Sequence, residues 1–417
     1  MKKLLSVVLA LLMLAVMLPV TAMAEDGDPT CVNGIWQNVT SANVQDVLDG
    51  KYGSIDNTTI VLTAGTYGQL ELGRATKYPG SNTQYRIGSF DAEPMTFDAF
   101  YATKNDGAWS ASPYYIRSMS NVTFKAAEGA EVKVAGVSAF SGHRYQDGYD
   151  YVLDRDVVTG TNTYYMANRL TNITFDHITF TAKSDINTSI EQAIINGFTF
   201  KNCTFNIGNT DDNSDYIALR YYNENNNGNV RNLVVDNCKF NNCRQGVYTS
   251  HIKNVTVKGC TFDTTGHNAI AIQDFKGTCD HGNVVITGNT FKNVGDRIIR
   301  FNNVGEGTTI TISNNTSTNS GKSNGEIVAA STMPKGMEVT MTNNNWGTNN
   351  QGAAVKFGEG FTEAAPSVIV IVPDRTEDTP KTEPEKNPTT GANDMVAAAV
   401  AIMAVSALGM AVLSRKK

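Results

Sequence analysis

Three stretches decide the fold: Asn232-Leu-Val-Val-Asp-Asn-Cys-Lys-Phe240, Asn254-Val-Thr-Val-Lys-Gly-Cys-Thr-Phe262 and Asn283-Val-Val-Ile-Thr-Gly-Asn-Thr-Phe291. The same nine-residue phrase begins at residues 172, 197, 309 and 338, with 22 to 35 residues between successive starts. A period in this range marks stacked structural repeats, because no single unit can bury its own apolar face. The second and fourth positions are apolar and alternate with Asn or Thr, the signal of a strand with one buried side. The next apolar pair stands at positions seven and nine, so the phase slips by one residue. A sharp bend at positions five and six explains the slip. Position six is Asn202, Asn237, Gly259, Gly288, Asn314 or Asn343 in six of the seven phrases, residue types that tolerate left-handed backbone. Position seven reads Cys203, Cys238, Cys260, Asn289, Asn315, Asn344, which predicts a stacked Cys run followed by an Asn ladder.

The pattern resembles the right-handed parallel β-helix of the pectate-lyase superfamily, with its asparagine corners and inward-facing ladders. The expected fold class is therefore all-β, a right-handed parallel β-helix over residues 25–373. That superfold carries lyases, hydrolases, epimerases, tailspikes and adhesins, so it does not fix a function. Residues 41–50, Ser41-Ala-Asn-Val-Gln-Asp-Val-Leu-Asp-Gly50, predict a short capping helix started by Ser41 and stopped by Gly50. Such a cap would cover the first rung. Thr59-Ile-Val-Leu62 and Asn121-Val-Thr-Phe124 read as early rungs. Residues 367–373, Ser-Val-Ile-Val-Ile-Val-Pro, read as the last strand, closed by a proline that cannot donate to a further ladder.

Between residues 78 and 165 the rhythm is broken by aromatic-rich insertions, among them Phe97, Tyr101, Trp109, Tyr115, Tyr149 and Tyr164. They are expected to pack on the side of the solenoid or to offer ring faces to sugars.

The two ends carry addresses. Residues 1–24 have a basic start, an apolar run and Ala22-Met23-Ala24, the order of a secretory signal peptide. Residues 374–386 contain only charge, Thr and Pro and read as an extended linker. Residues 387–417 hold Asn387-Pro388-Thr389-Thr390-Gly391, an uncharged span at 395–413 and Arg415-Lys416-Lys417. A span of this length crosses a bilayer as a helix. The order resembles a Gram-positive sortase signal, which implies cleavage between Thr390 and Gly391 and attachment of Thr390 to peptidoglycan; a plain membrane anchor is the alternative. The expected location is extracellular, at the cell surface. With a formal net charge of −6 and charges of both signs mixed, no nucleic-acid partner is expected. The six cysteines of a secreted chain permit disulfides, but stacked Cys203, Cys238 and Cys260 are expected as buried thiols.

A third strand recurs between phrases: Tyr216-Ile-Ala-Leu-Arg220, Gly246-Val-Tyr-Thr249, Ala269-Ile-Ala-Ile-Gln273, Arg297-Ile-Ile-Arg-Phe301 and, further on, Glu326-Ile-Val-Ala329 and Ala353-Ala-Val-Lys-Phe357. Its polar residues, Asp215, Arg220, Tyr248, Gln273, Asp296, Arg297 and Arg300, are expected in an outward row about 4.8 Å apart, a spacing suited to an extended polymer. Arginines beside aromatics can hold acidic sugars by bidentate hydrogen bonds and stacking. The binding candidates are therefore Arg220, Tyr248, Gln273, Arg297 and Arg300, and the expected partner is a polysaccharide or other glycan.

An enzyme is the runner-up. The order Asn209-Thr-Asp-Asp212, Gly266-His267-Asn268 and Arg297-Ile298-Ile299 resembles polygalacturonase-type hydrolases. Arg244-Gln245-Gly246 stands where those enzymes carry an Asp pair. Inverting hydrolysis needs two carboxylates about 6.5 to 9.5 Å apart, for which Asp211, Asp212 and Asp215 are candidates. A lyase needs a base near substrate carboxylates, for which His267, Arg297 and Arg300 are candidates. Calcium could be ligated by oxygens of residues 211–215, although the spacing is not that of an EF-hand and no metal site is assigned.

Overall fold

The computed structural model describes residues 27–73, 75–76, 115–116, 118–140, 143–145, 164–166, 169–188, 194–223, 230–274, 277–322, 325–335 and 337–364. Residues 1–24, 367–373, 374–386 and 387–417, expected as signal peptide, last strand, linker and sorting signal, lie outside the described residues, as do Phe97, Tyr101, Trp109 and Tyr149.

Each phrase folds as strand, corner, strand. In Lys253–Lys258 and Thr261–Thr265, positions two, four, seven and nine are Val255, Val257, Cys260 and Phe262, all buried. The corner is left-handed at position six in every phrase: φ is 53° at Asn202, 50° at Asn237 and 62° at Gly259. His177, the one residue outside the Asn/Gly pattern, takes the same conformation at 58°. A second left-handed position, not expected from the sequence, opens the phrases at Asn121, Asn172, Gly197, Asn232 and Asn254. There the exposed amides form their own ladder: Asn172 Nδ2 donates to Asn121 Oδ1 at 2.8 Å, and Asn254 Nδ2 to Asn232 Oδ1 at 2.9 Å.

Stacking produces three long sheets, of 11, 8 and 9 strands among the described residues, whose neighbours are parallel apart from the N-terminal pair. The architecture is a parallel β-helix. Rungs align in register because like residues meet. Phe205, Phe240 and Phe262 stack at centroid distances of 4.6 Å with their ring planes nearly parallel. On the outside of the first sheet the aligned row reads Lys125, Asp176, Lys201, Asp236, Lys258, opposite charges alternating rung by rung. Lys201 lies 3.1 Å from Asp176 and Lys258 3.0 Å from Asp236, so a rung displaced along the stack would set like charges side by side.

The position-seven ladder obeys one rule for both residue types. Each side chain donates to the position-four carbonyl of the preceding rung. The thiols of Cys203, Cys238 and Cys260 point to Phe175, Phe200 and Val235 O, and the amides of Asn289, Asn315 and Asn344 to Val257, Ile286 and Ile312 O. All six cysteines are free, and only Cys31 is exposed.

The N-terminal cap is a helix over Val44–Leu48 that buries Val44, Val47 and Leu48. It starts at Asn43 rather than at Ser41; the Asn43 side chain accepts the Thr40 N–H at 2.8 Å. The span 78–165 contains more than insertions. A full rung, Met119–Ala126, Val132–Val134 and Val137–Phe140, stands inside it. Short antiparallel pairs flank that rung, Ala75–Thr76 with Tyr115–Ile116 and His143–Tyr145 with Tyr164–Met166. Among the described residues no helix is long and apolar enough to cross a membrane, and residues 395–413 fall outside them.

Candidate functional site

The third sheet alternates strictly where it carries charge. Leu219, Tyr221, Val247, Ile270, Ile272, Ile299 and Phe301 point into the core with no exposed surface. Their neighbours therefore face outward. Backbone register aligns these neighbours as one row: Ser138, Asp185, Arg220, Tyr248, Ala271, Arg300, Ala329.

A second row borders the first at the corner that leads into the sheet. Arg244 N–H donates to Tyr216 O at 2.8 Å, His267 N–H to Arg244 O at 2.8 Å and Asp296 N–H to His267 O at 3.2 Å. Successive rungs thus present Tyr216, Arg244, His267 and Asp296. The two rows bring three guanidinium groups, two phenols and an imidazole onto one face.

Within this face, Arg220 lies 3.3 Å from Asp185 and its guanidinium is 4.4 Å from the centre of the Tyr222 ring. Burial lifts the Asp185 carboxyl above its ordinary pKa, against the pull of Arg220 and Lys183. Burial also pushes the Tyr248 hydroxyl up to about 12, with Arg220, Arg244 and Arg300 all pulling it the other way. The phenol therefore stays protonated at neutral pH and keeps its capacity to donate a hydrogen bond. His267 Nε2 is 3.3 Å from Asp296 Oδ2, while the Gln245 amide sits 3.4 Å from Nδ1. Donation from that amide places the imidazole proton on Nε2, toward Asp296. Burial lowers the His267 pKa; Asp296 opposes the shift, and Arg244 and Arg300 add to it.

The other expected site residues fall elsewhere. Gln273 lies two residues beyond Ala271, on the same side of the sheet and in register with Ser250 and Tyr222, but only 3% of it is exposed, so it adds little to the accessible face. Arg297 lies beside the buried Asn268, which donates to its carbonyl at 3.2 Å, and reaches Glu326 at 3.8 Å. Its row is not that of Arg300. Asp211, Asp212 and Asp215 lie on the loop before Ile217–Asn223, and two of them face cations: Asp212 takes Arg244 at 2.5 Å, and Asp215 takes Lys183 at 3.3 Å. Among the described residues no cluster of His, Cys, Asp or Glu is arranged to hold a metal ion.

Sequence reasoning missed Lys183, Asp185, Tyr222 and above all Arg244. Arg244 stands one residue earlier after its phrase than His267 and Asp296 do after theirs, which hid the alignment of the three. Comparison of the chain with protein families, with curated proteins and with solved structures finds no match, so no relative lends its activity to this face.

Proposed function

We propose that this chain is a secreted, cell-surface-anchored β-helix that binds an acidic polysaccharide along its third sheet. One observation carries the reading: Arg220, Tyr248 and Arg300 share a single outward row, with Arg244 and His267 on the row beside it. Rungs about 4.8 Å apart give a polymer with charge on every few units several sites at once, and a rigid backbone keeps the ordering cost of binding low. Stacking on Tyr222 pre-orients Arg220, and a protonated Tyr248 can donate to a sugar oxygen. The order of signal peptide, linker, Pro388-Thr389-Thr390-Gly391, apolar span and basic tail supports attachment to peptidoglycan by a sortase, with the membrane span serving before processing. Release of the protein from cells by muramidase but not by detergent tests that attachment.

The contact between His267 and Asp296 favours a second reading, in which the same face cleaves its ligand with His267 as the proton-transfer group. Polygalacturonate, alginate and sulfated glycans immobilised on a surface test binding. Assays for new reducing ends and for unsaturated products on the same panel separate binder from lyase or hydrolase. Retention without products supports the binding reading, and no retention of any acidic glycan overturns it.

A further inference from the structure

The loop of residues 209–215 carries Asn-Thr-Asp-Asp-Asn-Ser-Asp, an acidic sequence beside a basic face. It is built to hold a shape: Asn209 Oδ1 accepts the Asp211 N–H at 2.9 Å and Asn213 Oδ1 accepts the Asp215 N–H at 3.0 Å. Asp212 Oδ1 receives both Nε and Nη2 of Arg244, at 2.6 and 2.5 Å. Asp215 lies 3.3 Å from Lys183, which in turn lies 4.0 Å from Asp185. The loop also leans over two rungs. A Cβ on Gly266 would come within 2.1 Å of Thr210 O, so the loop rests directly on the turn that carries His267.

We propose that this loop is an intramolecular competitor for the anionic ligand, a carboxylate-bearing lid that occupies Arg244 and Lys183 until a polyanion displaces it. The proposal rests on the reading of the third sheet as a polyanion-binding face. Both carboxylates are at the rim, with 84% of the Asp212 side chain and 72% of the Asp215 side chain exposed. Exposed ion pairs of this kind are weak and salt-sensitive. A single small anion gains too little from Arg244 alone to replace Asp212. A polymer that also engages Arg220 and Arg300 gains several contacts at once, so the loop selects for length and charge density.

The test compares wild type, the double variant Asp212→Asn/Asp215→Asn and the double variant Arg220→Ala/Arg300→Ala for binding of polygalacturonate and of dextran sulfate at low salt, with melting temperature as the control for folding. Removing the two loop carboxylates should tighten binding about threefold to fivefold, the size expected for losing weak exposed pairs, and the arginine variant should bind neither probe. Equal or weaker binding by the loop variant, with binding still lost in the arginine variant, overturns the lid and leaves the binding face standing. Undiminished binding by the arginine variant, or no binding by any of the three proteins, overturns the face and the lid together.

Discussion

Glu363 ends the ladder that reaches Asn344. Its Oε1 accepts the Asn344 backbone N–H at 2.9 Å, and its Oε2 accepts Asn344 Nδ2 at 2.9 Å and Trp346 Nε1 at 3.2 Å. In the rungs before it, Asn344 does this for Asn315 and Asn315 does it for Asn289, each Oδ1 taking the backbone N–H and the Nδ2 of its neighbour. A carboxylate is the apt last member, because it accepts on both oxygens and leaves no donor for a further rung to satisfy.

Replacing Glu363 by Gln keeps the shape and turns an acceptor into a donor facing Asn344 or Trp346. The expected loss is about 1 kcal/mol, because the donors left unpaired are only part-buried. The denaturation midpoint should fall without a change in denaturant slope, and an unchanged midpoint would remove Glu363 as a cap.

Position nine tests the packing. Gly246 lies where a Cβ would come within 2.5 Å of the Phe262 ring, and that ring stacks on Phe240 and Phe291. Phe240→Ala should cost about 3–5 kcal/mol, the range for large-to-small changes in a close-packed core. Gly246→Ala should also destabilise, through overpacking. Thermal unfolding of both variants measures this.

Thiol chemistry separates the cysteines. Cys203, Cys238, Cys243, Cys260 and Cys279 are buried, and Cys31 is exposed. Burial pushes Cys243 and Cys279 up to about 12; the contact with Cys238 raises Cys260, and burial raises Cys238. Only the thiolate reacts. A thiol reagent at neutral pH should therefore modify Cys31 quickly and the other five only after denaturation. Fast modification of a second cysteine in the folded protein would contradict the burial of the ladder.

Acid should weaken the fold through a buried histidine. His281 has no exposed surface, and its Nδ1 bonds Ile252 O at 3.1 Å. Burial holds its pKa below the ordinary value, with Asp274 and Asp280 opposing and His251 assisting. The unfolded chain therefore binds a proton more readily than the folded one. Stability from this site is complete above the unfolded pKa of about 6.5 and is lost as pH falls from there through the folded value. The melting temperature should drop between neutral pH and pH 5, and less so in His281→Asn, whose amide can replace the bond to Ile252.

How much could be read from the chain follows from what a period encodes. Residues that repeat in every phrase, such as Val255, Cys260 and Phe262, declared strand, corner and core, because burial and backbone handedness act locally. Asn172 and Asn232 repeat as well, yet their left-handed backbone escaped notice, since an Asn before a strand also reads as an ordinary turn. The site was less legible. Arg220, Tyr248 and Arg300 were placed correctly in one row because they lie inside strands. Arg244 is hidden in the sequence because it lies between strands, where turn length decides alignment, and alternation gives the side of Gln273 but not its burial.

Two arginines three residues apart fall on different sides of that divide. Arg297 and Arg300 look equivalent in the sequence, but Arg300 shares the outward row of Tyr248 and Ala271, whereas Arg297 stands with Asn268 and reaches Glu326. Arg300→Ala should lower polyanion retention about tenfold, since a charge-assisted hydrogen bond contributes about 1.5–3 kcal/mol. Arg297→Ala should change retention little. Both should leave folding nearly intact, because each side chain is partly exposed and its loss opens no core cavity. Affinity electrophoresis of the two variants through polygalacturonate, alongside wild type, reads the difference directly. If Arg297→Ala proves the more damaging, the binding face lies on the Asn268–Arg297–Glu326 side of the corner, and the row through Tyr248 is only a solvated surface.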